Sequence, residues 1–300
     1  MSPPLSVSQH FFHSAGVRFN YLIRGAGPLA VIQSVGWGLS ASYLWNGLGP
    51  RLEASRTVLY FEPRGNGDSS KADPSTMNAR TMVEDLEHLR SHLVGVFRKL
   101  GWGLIGHSHG GAIALRYAQR YLENVSKLLL IAPQVMDCTP GHVRAWMEKR
   151  KDDEAYAPSV KKLIEIAKAG GPRNDEHFRE SLDTMLVWWF ADVKNADVLR
   201  RDIAGPVASK NPATASAWQT NRFDMSEENT LPHIKDAGLV KAETLVLQGE
   251  EDSVCSGAGA QAVADGIKHS EIKVLAGAGH FPWIEAPEEF WRETDAFVKL

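Results

Sequence analysis

This sequence predicts an α/β fold: a mostly parallel sheet with helices on both faces and one inserted helical segment. Three observations lead there. Short apolar runs of strand length alternate with segments of helical spacing, as a parallel sheet covered on both sides requires. A serine, Ser108, sits at a Gly-rich turn between one such run and the helix-like segment after it. The alternation then stops between about Asp137 and His233, where only helical patterns occur, and strand patterning resumes at Thr244.

The elements follow in order. Gln9 to His13 and Val17 to Arg24 read as a hairpin around Ala15-Gly16, with the next turn at Gly25-Ala26-Gly27-Pro28. Leu29 to Gln33 and Thr57 to Phe61 are buried strands. Met82 to Phe97 has helical spacing through Met82, Leu86, Leu89, Leu93 and Val96. Trp102 to Ile105 is a short strand, Ala112 to Tyr121 a helix and Leu128 to Ala132 a strand. The interrupting stretch carries helical patterns at His142 to Lys151, Ser159 to Lys168, Asp175 to Ala191 and Asn195 to Asp202. Pro140, Gly170-Gly171-Pro172, Gly205-Pro206 and Pro212 punctuate it. This divides the chain into a core of residues 1–137 and 233–300 and a helical cap of residues 138–232. Such a cap would cover the serine and shape its pocket.

Gly106-His107-Ser108-His109-Gly110-Gly111 contains Gly-x-Ser-x-Gly, the nucleophile elbow. The small residues let strand and helix approach closely around a strained serine. The motif alone is common. Its partners, however, follow in the order serine, acid, histidine. Thr244 to Gln248 reads as a buried strand running into Gly249-Glu250-Glu251-Asp252. Asp252 is the expected acid, with Glu250 and Glu251 as rivals. Ile272 to Leu275 is another short strand, leading to Ala276-Gly277-Ala278-Gly279-His280. A histidine in a Gly-rich loop past a strand end is placed to reach the serine, so Ser108, His280 and Asp252 form the expected catalytic set.

These segments, together with Gly279 to Glu288 and Glu62-Pro63-Arg64-Gly65-Asn66-Gly67-Asp68-Ser69-Ser70, resemble the α/β-hydrolase superfamily over nearly the whole chain. The nearest branch looks like the capped, proline-iminopeptidase-like and small-ester hydrolases. The resemblance implies an α/β-hydrolase fold with an eight-stranded sheet. It maps the oxyanion turn onto Gly36-Trp37, making the backbone N–H groups of Trp37 and His109 the donors. Two departures stand out. Ser34-Val35-Gly36-Trp37-Gly38 lacks the histidine and proline usual at that turn, and Glu62 replaces the usual aspartate of its loop.

Composition agrees with an enzyme. The chain has 300 residues, 43% of them hydrophobic, and a formal net charge of −3. That supports a large core, and the absence of a basic stripe excludes nucleic acid as an expected partner. Two cysteines, Cys138 and Cys255, make no disulfide framework. Cys255 lies three residues past Asp252, near the site, and reads as a semi-buried thiol. No signal peptide, membrane-span pattern or terminal Ser-Lys-Leu occurs, so a cytoplasmic protein with no membrane partner is expected. Oligomeric state is left open.

No cofactor is implied. Gly65-Asn66-Gly67 lacks the third glycine of a dinucleotide loop, and no Gly-x-x-x-x-Gly-Lys phosphate loop is present. No metal is expected either: His88 and His92 are four apart, but Leu89 stands where the metalloprotease pattern needs glutamate. His107 is expected to point away from the pocket.

The cap is rich in aromatics. Trp146, Trp188, Trp189 and Trp218 are the candidate pocket residues, which points to a small, partly apolar substrate. Asp175, Glu176 and Asp183 read as solvated charges, although an amine-binding role would suit an aminopeptidase. The expected activity is hydrolysis of an ester or amide through an acyl-enzyme. Alternatives on the same three residues are an iminopeptidase-like aminopeptidase, a carbon–carbon bond hydrolase and an acyltransferase. A ligand receptor without catalysis is a different class on the same fold.

Overall fold

The computed structural model describes residues 8–94, 102–138, 141–224, 226 and 230–299. Eight strands form one sheet: β1 Ser8–Ser14, β2 Val17–Arg24, β3 Leu29–Gln33, β4 Thr57–Glu62, β5 Trp102–His107, β6 Val125–Ile131, β7 Glu243–Gly249 and β8 Ser270–Leu275. Their spatial order is β1-β2-β4-β3-β5-β6-β7-β8. β2 runs antiparallel to both β1 and β4, and every other neighbouring pair is parallel. The mostly parallel eight-stranded α/β sheet is therefore present.

Side chains alternate across this sheet, as a pleated strand demands. Val31, Leu104, Leu128 and Leu130 face one core layer. Ile32, Ile105, Leu129 and Ile131 face the other. Both layers are covered, which explains why the central strands read as continuous apolar runs.

The helices that pack on these layers come next. α1 Gly49–Glu53 follows β3, and α2 Ala79–Leu93 starts at Asn78, whose side chain accepts the Thr81 N–H. Val96 and Phe97, expected to extend that helix, lie outside the described residues. α3 His109–Arg120 follows the elbow directly. Between β6 and β7 lie α4 His142–Arg150, α5 Ala157–Lys168, α6 Asp175–Met185, α7 Ala196–Ala204 and α8 Ser216–Asp224. No strand occurs there among the described residues; Pro140 lies outside them. α9 Gly257–Gly266, the short α10 Pro282–Glu285 and α11 Pro287–Lys299 complete the chain.

One expected helix ends early. The pattern from Asp175 to Ala191 is helical only to Met185, then tightens into a 3₁₀ turn over Leu186–Trp189. The carbonyls of this turn are needed elsewhere. Trp188 O accepts from Arg150 Nη1 at 2.8 Å and Ser253 Oγ at 2.7 Å, and Trp189 O accepts the His280 N–H at 2.8 Å. Turning those groups outward ties the insertion to the loops at the sheet's carboxyl end.

Candidate active site

Ser108 caps α3 at φ 56° and ψ −126°, a conformation unfavourable for a residue with a Cβ. Its neighbours must be small. A Cβ on Gly106 would lie 2.5 Å from Gly110 O, and one on Gly110 would lie 2.3 Å from Gln33 O. The elbow glycines are thus required by the approach of helix to sheet.

Asp252 follows β7 and is buried. Its Oδ1 accepts the N–H groups of Val254 at 2.8 Å and Cys255 at 2.9 Å. Its Oδ2 accepts from Gln248 Nε2 at 3.2 Å and lies 2.9 Å from His280 Nδ1. With a carboxylate opposite it, Nδ1 carries the ring proton, and Nε2 is left bare to take one. The His280 loop is clamped by Glu285, which accepts Gly279 N–H at 2.6 Å and the N–H groups of Ala191 and Asp192 at 3.0 Å each. Glu250 Oε2 only accepts Gly277 N–H, at 3.3 Å, and Glu251 pairs with Lys149 and Arg150 at the rim. Neither rival acid contacts His280 in this structure.

Ser108 and His280 share the wall of a cavity of about 330 Å³. Trp37, Trp188, Trp189 and Trp218 also line it, with Leu182, Met185, Phe178 and Phe281 among the apolar remainder. Trp146 is the correction: it is not part of that wall. Its ring lies under Lys149 and Arg150, at 4.0 and 4.6 Å, because α4 turns it toward these cations. No Asp, Glu, Lys or Arg is among the described lining residues. Asp175 accepts the Ala215 N–H, Asp183 pairs with Arg200, and Glu176 is exposed. A second, more polar cleft of about 580 Å³ contains none of the expected catalytic residues, although Trp218 borders both.

The two flanking histidines have definite jobs. His109 Nδ1 accepts the Gly36 N–H at 3.0 Å, so its Nε2–H donates to Asp224 Oδ2 at 2.8 Å. On the other side of Trp37, Gly38 N–H is held by Asn66 Oδ1. The backbone N–H groups of Trp37 and His109 themselves have no acceptor among the described residues. Glu62 braces the same loop, accepting the N–H of Ala41 at 2.8 Å and of Asp68 at 2.7 Å, and burial pushes its carboxyl up to about 7.

His107 does not point away from the pocket. The residue borders the cavity, and its ring packs on His280 with centroids 4.7 Å apart. Its Nε2–H donates to His280 O at 2.9 Å, so Nδ1 accepts from Tyr43 Oη at 2.9 Å. Burial, with His280 beside it, holds this imidazole well below the usual histidine range.

Cys255 is fully buried, lines the cavity and lies within hydrogen-bonding reach of Ser108. Spacing from Asp252 placed it near the site, but only the fold turns its thiol inward. Asp252, Cys255 and His280 offer donor atoms within 4.8 Å of one another, the one such group among the described residues. The carboxylate is nevertheless committed to four N–H partners, and Nδ1 of His280 faces it. His88 and His92 form no such group; His92 stacks on Phe12 at 4.8 Å.

No sequence signal marked Gln134, Arg150 or Asp224. Arg150 is only 4% exposed. It lies over the rings of Trp146 on its own helix, Tyr156 just beyond it and Trp188, and only the fold brings the last of these to it.

Comparison with known proteins agrees with this architecture. The family model described as alpha/beta hydrolase fold matches residues 35–287. The chain is 28% identical over 288 residues to a 2-hydroxymuconate semialdehyde hydrolase of Pseudomonas sp. (strain CF600), covering 92% of this chain and 89% of that protein. It is 27% identical over 246 residues to a proline iminopeptidase of Clostridium botulinum, covering 79% and 78%. Among solved structures, a hydrolase from Pseudomonas aeruginosa PA01 superposes with a TM-score of 0.71 at 19% identity, covering 99% of this chain and all of that one.

Proposed function

The chain belongs to the alpha/beta hydrolase fold family, and from that premise we propose that it is a serine hydrolase. Its substrate is a neutral, partly apolar ester or amide. The observation that carries this reading is the pairing of Ser108 with His280 in the wall of an apolar cavity, His280 being oriented by Asp252 at 2.9 Å.

Ser108 Oγ attacks the carbonyl carbon while His280 Nε2 takes its proton. Asp252 stabilises the imidazolium so formed. The N–H groups of Trp37 and His109 receive the negative charge that develops on the carbonyl oxygen. Collapse of this intermediate expels the alcohol or amine, which takes the proton from His280 and leaves an acyl-Ser108. Water, deprotonated by His280, then releases the acid. The helical insertion of residues 138–232 serves as the cap that closes the cavity from above.

The uncharged wall favours this reading over its rivals. An aminopeptidase must hold a charged amine, and the hydroxymuconate semialdehyde named for the Pseudomonas relative is a carboxylate. No Asp, Glu, Lys or Arg side chain among the described residues lines the cavity to meet either.

The test is labelling with a broad fluorophosphonate followed by intact-mass measurement. One adduct is expected, absent in Ser108→Ala and His280→Ala. Both variants should lose on the order of 10⁴-fold or more in ester turnover while staying folded. Normal turnover by Ser108→Ala would overturn the assignment. Product analysis with added alcohol separates hydrolysis from acyl transfer.

A further inference from the structure

We propose that the helical insertion shapes the oxyanion turn as well as covering the cavity, and that Asp224 is the positioning residue through which it acts. This deepens the serine-hydrolase reading and rests on it.

Gly36-Trp37-Gly38 is held on both flanks, and both holds end in the insertion. On the Gly38 side residues 212–214 run antiparallel to residues 38–40. Thr214 N–H donates to Gly38 O at 2.7 Å, Ser40 N–H donates to Pro212 O at 3.0 Å, and Leu39 bridges to Ala213 between them. On the Gly36 side the hold runs through a side chain. Gly36 N–H donates to His109 Nδ1 at 3.0 Å, and His109 Nε2–H donates to Asp224 Oδ2 at 2.8 Å, in the last turn of α8. Asp224 Oδ1 accepts the Ala79 N–H at 2.9 Å, which seats that end of α8 on the start of α2. His109 and Asp224 are each 1% exposed, so solvent cannot replace either partner.

The residue types fit this task. A ring that accepts at Nδ1 must keep its proton on Nε2, and an acceptor opposite Nε2 fixes that tautomer. Asp224 faces two N–H donors, and a carboxylate has an oxygen for each, where an asparagine has only one. Near its start the same helix carries Trp218, in the cavity wall. One short helix thus borders the ligand's space at one end and supports the oxyanion turn at the other. Docking of the insertion and assembly of the turn are therefore coupled. By linkage, a ligand that draws on the two oxyanion N–H groups must also hold the insertion down.

The experiment compares 1,1,1-trifluorononan-2-one with nonan-2-one on the native protein and on Asp224→Ala. Ser108 Oγ adds to the activated carbonyl carbon of the first, its proton passes to His280, and the carbonyl π electrons become the negative charge that the turn receives. The plain ketone binds without this step. Binding is read from the fluorescence of the cavity tryptophans, and the tautomer of His109 from nitrogen NMR of histidine-labelled protein. Native protein should carry the His109 proton on Nε2. Asp224→Ala should bind the trifluoro ketone about 10- to 100-fold more weakly and the plain ketone within a factor of about two. In the native protein the trifluoro ketone, and not the plain one, should slow amide exchange across residues 209–224, a comparison that needs no variant. A His109 proton on Nδ1, equal weakening of both ketones, unchanged affinity in Asp224→Ala, or equal slowing of exchange by both ketones would overturn the proposal and leave the serine-hydrolase reading in place. No adduct between the native protein and the trifluoro ketone, together with no ester turnover, would remove that reading and this one with it.

Discussion

The imidazole of His109 accepts the backbone N–H of Gly36 at 3.0 Å, so the residue after the proposed nucleophile also holds the loop that carries the other proposed oxyanion donor. In the proposed mechanism one residue thus supplies an N–H by its backbone and positions Trp37 by its side chain. The ring's far nitrogen donates to Asp224, whose other oxygen accepts the Ala79 N–H at 2.9 Å. Replacing His109 with Leu frees the Gly36 turn and strands a carboxylate that is 1% exposed. The variant should lose about 3 kcal/mol or more of stability. Its kcat should fall about 10- to 100-fold with a smaller change in KM. Denaturant unfolding and steady-state kinetics on one preparation check both effects; an unchanged kcat would separate His109 from the oxyanion turn.

Asp252→Asn should be far more damaging to activity than to folding. Oδ1 is engaged by two backbone N–H groups, so the asparagine oxygen stays there and its NH₂ turns to His280. Nδ1 must then accept, and the ring proton moves to Nε2, where it cannot take one from Ser108. A drop in kcat on the order of 10⁴-fold is expected, with the melting temperature little changed. Near-native turnover would place the acid elsewhere.

Cys255 should resist thiol reagents in the folded protein. Burial, and then the charge of Asp252, push its thiol well above its ordinary value, so little thiolate forms at pH 8. Mass mapping after brief treatment with a thiol reagent should find Cys255 unmodified until denaturant is added. Rapid labelling under native conditions would mean that the cavity is open and the thiol ionised.

Acid should destabilise the fold through buried neutral histidines. Burial holds His107 well below 6.5 and His233 down to about 3. In the unfolded chain both rings take up a proton as pH falls through 6.5, whereas the folded rings do not. Unfolding therefore takes up protons, and stability drops below pH 6.5. His233 alone should account for about 2 kcal/mol between pH 7 and pH 5. Urea titrations at the two pH values, with His233→Gln showing the shallower decline, make the comparison. Equal stability at both would show that the rings accept protons while folded.

Local residue patterns were enough for most of the sheet and for the order of the site. Buried strands are legible because both sheet faces are covered, leaving unbroken apolar runs such as Leu128–Ile131. Ser108, Asp252 and His280 were legible because each sits in a turn just past a strand end, where short-range signals are strong. α9 escaped notice: Gly257–Gly266 is made of small residues with no large apolar stripe, and its start rests on the Ser256 side chain accepting the Gly259 N–H. The early end of α6 was equally hidden, since the groups that claim the Trp188 and Trp189 carbonyls, Arg150, Ser253 and His280, are distant in the chain.

The sequence by itself determined the α/β fold, the elbow and the chain order of the three expected catalytic residues, because turn chemistry and apolar periodicity act over a few neighbours. The tertiary structure alone decided which tryptophans face the cavity, that Trp146 does not, and that His107 packs beneath His280. It also placed Gln134 and Cys255 beside Ser108. These outcomes depend on where helices of the insertion dock and on which distant carbonyls and rings meet. Such long-range burial leaves no periodic trace in a single sequence.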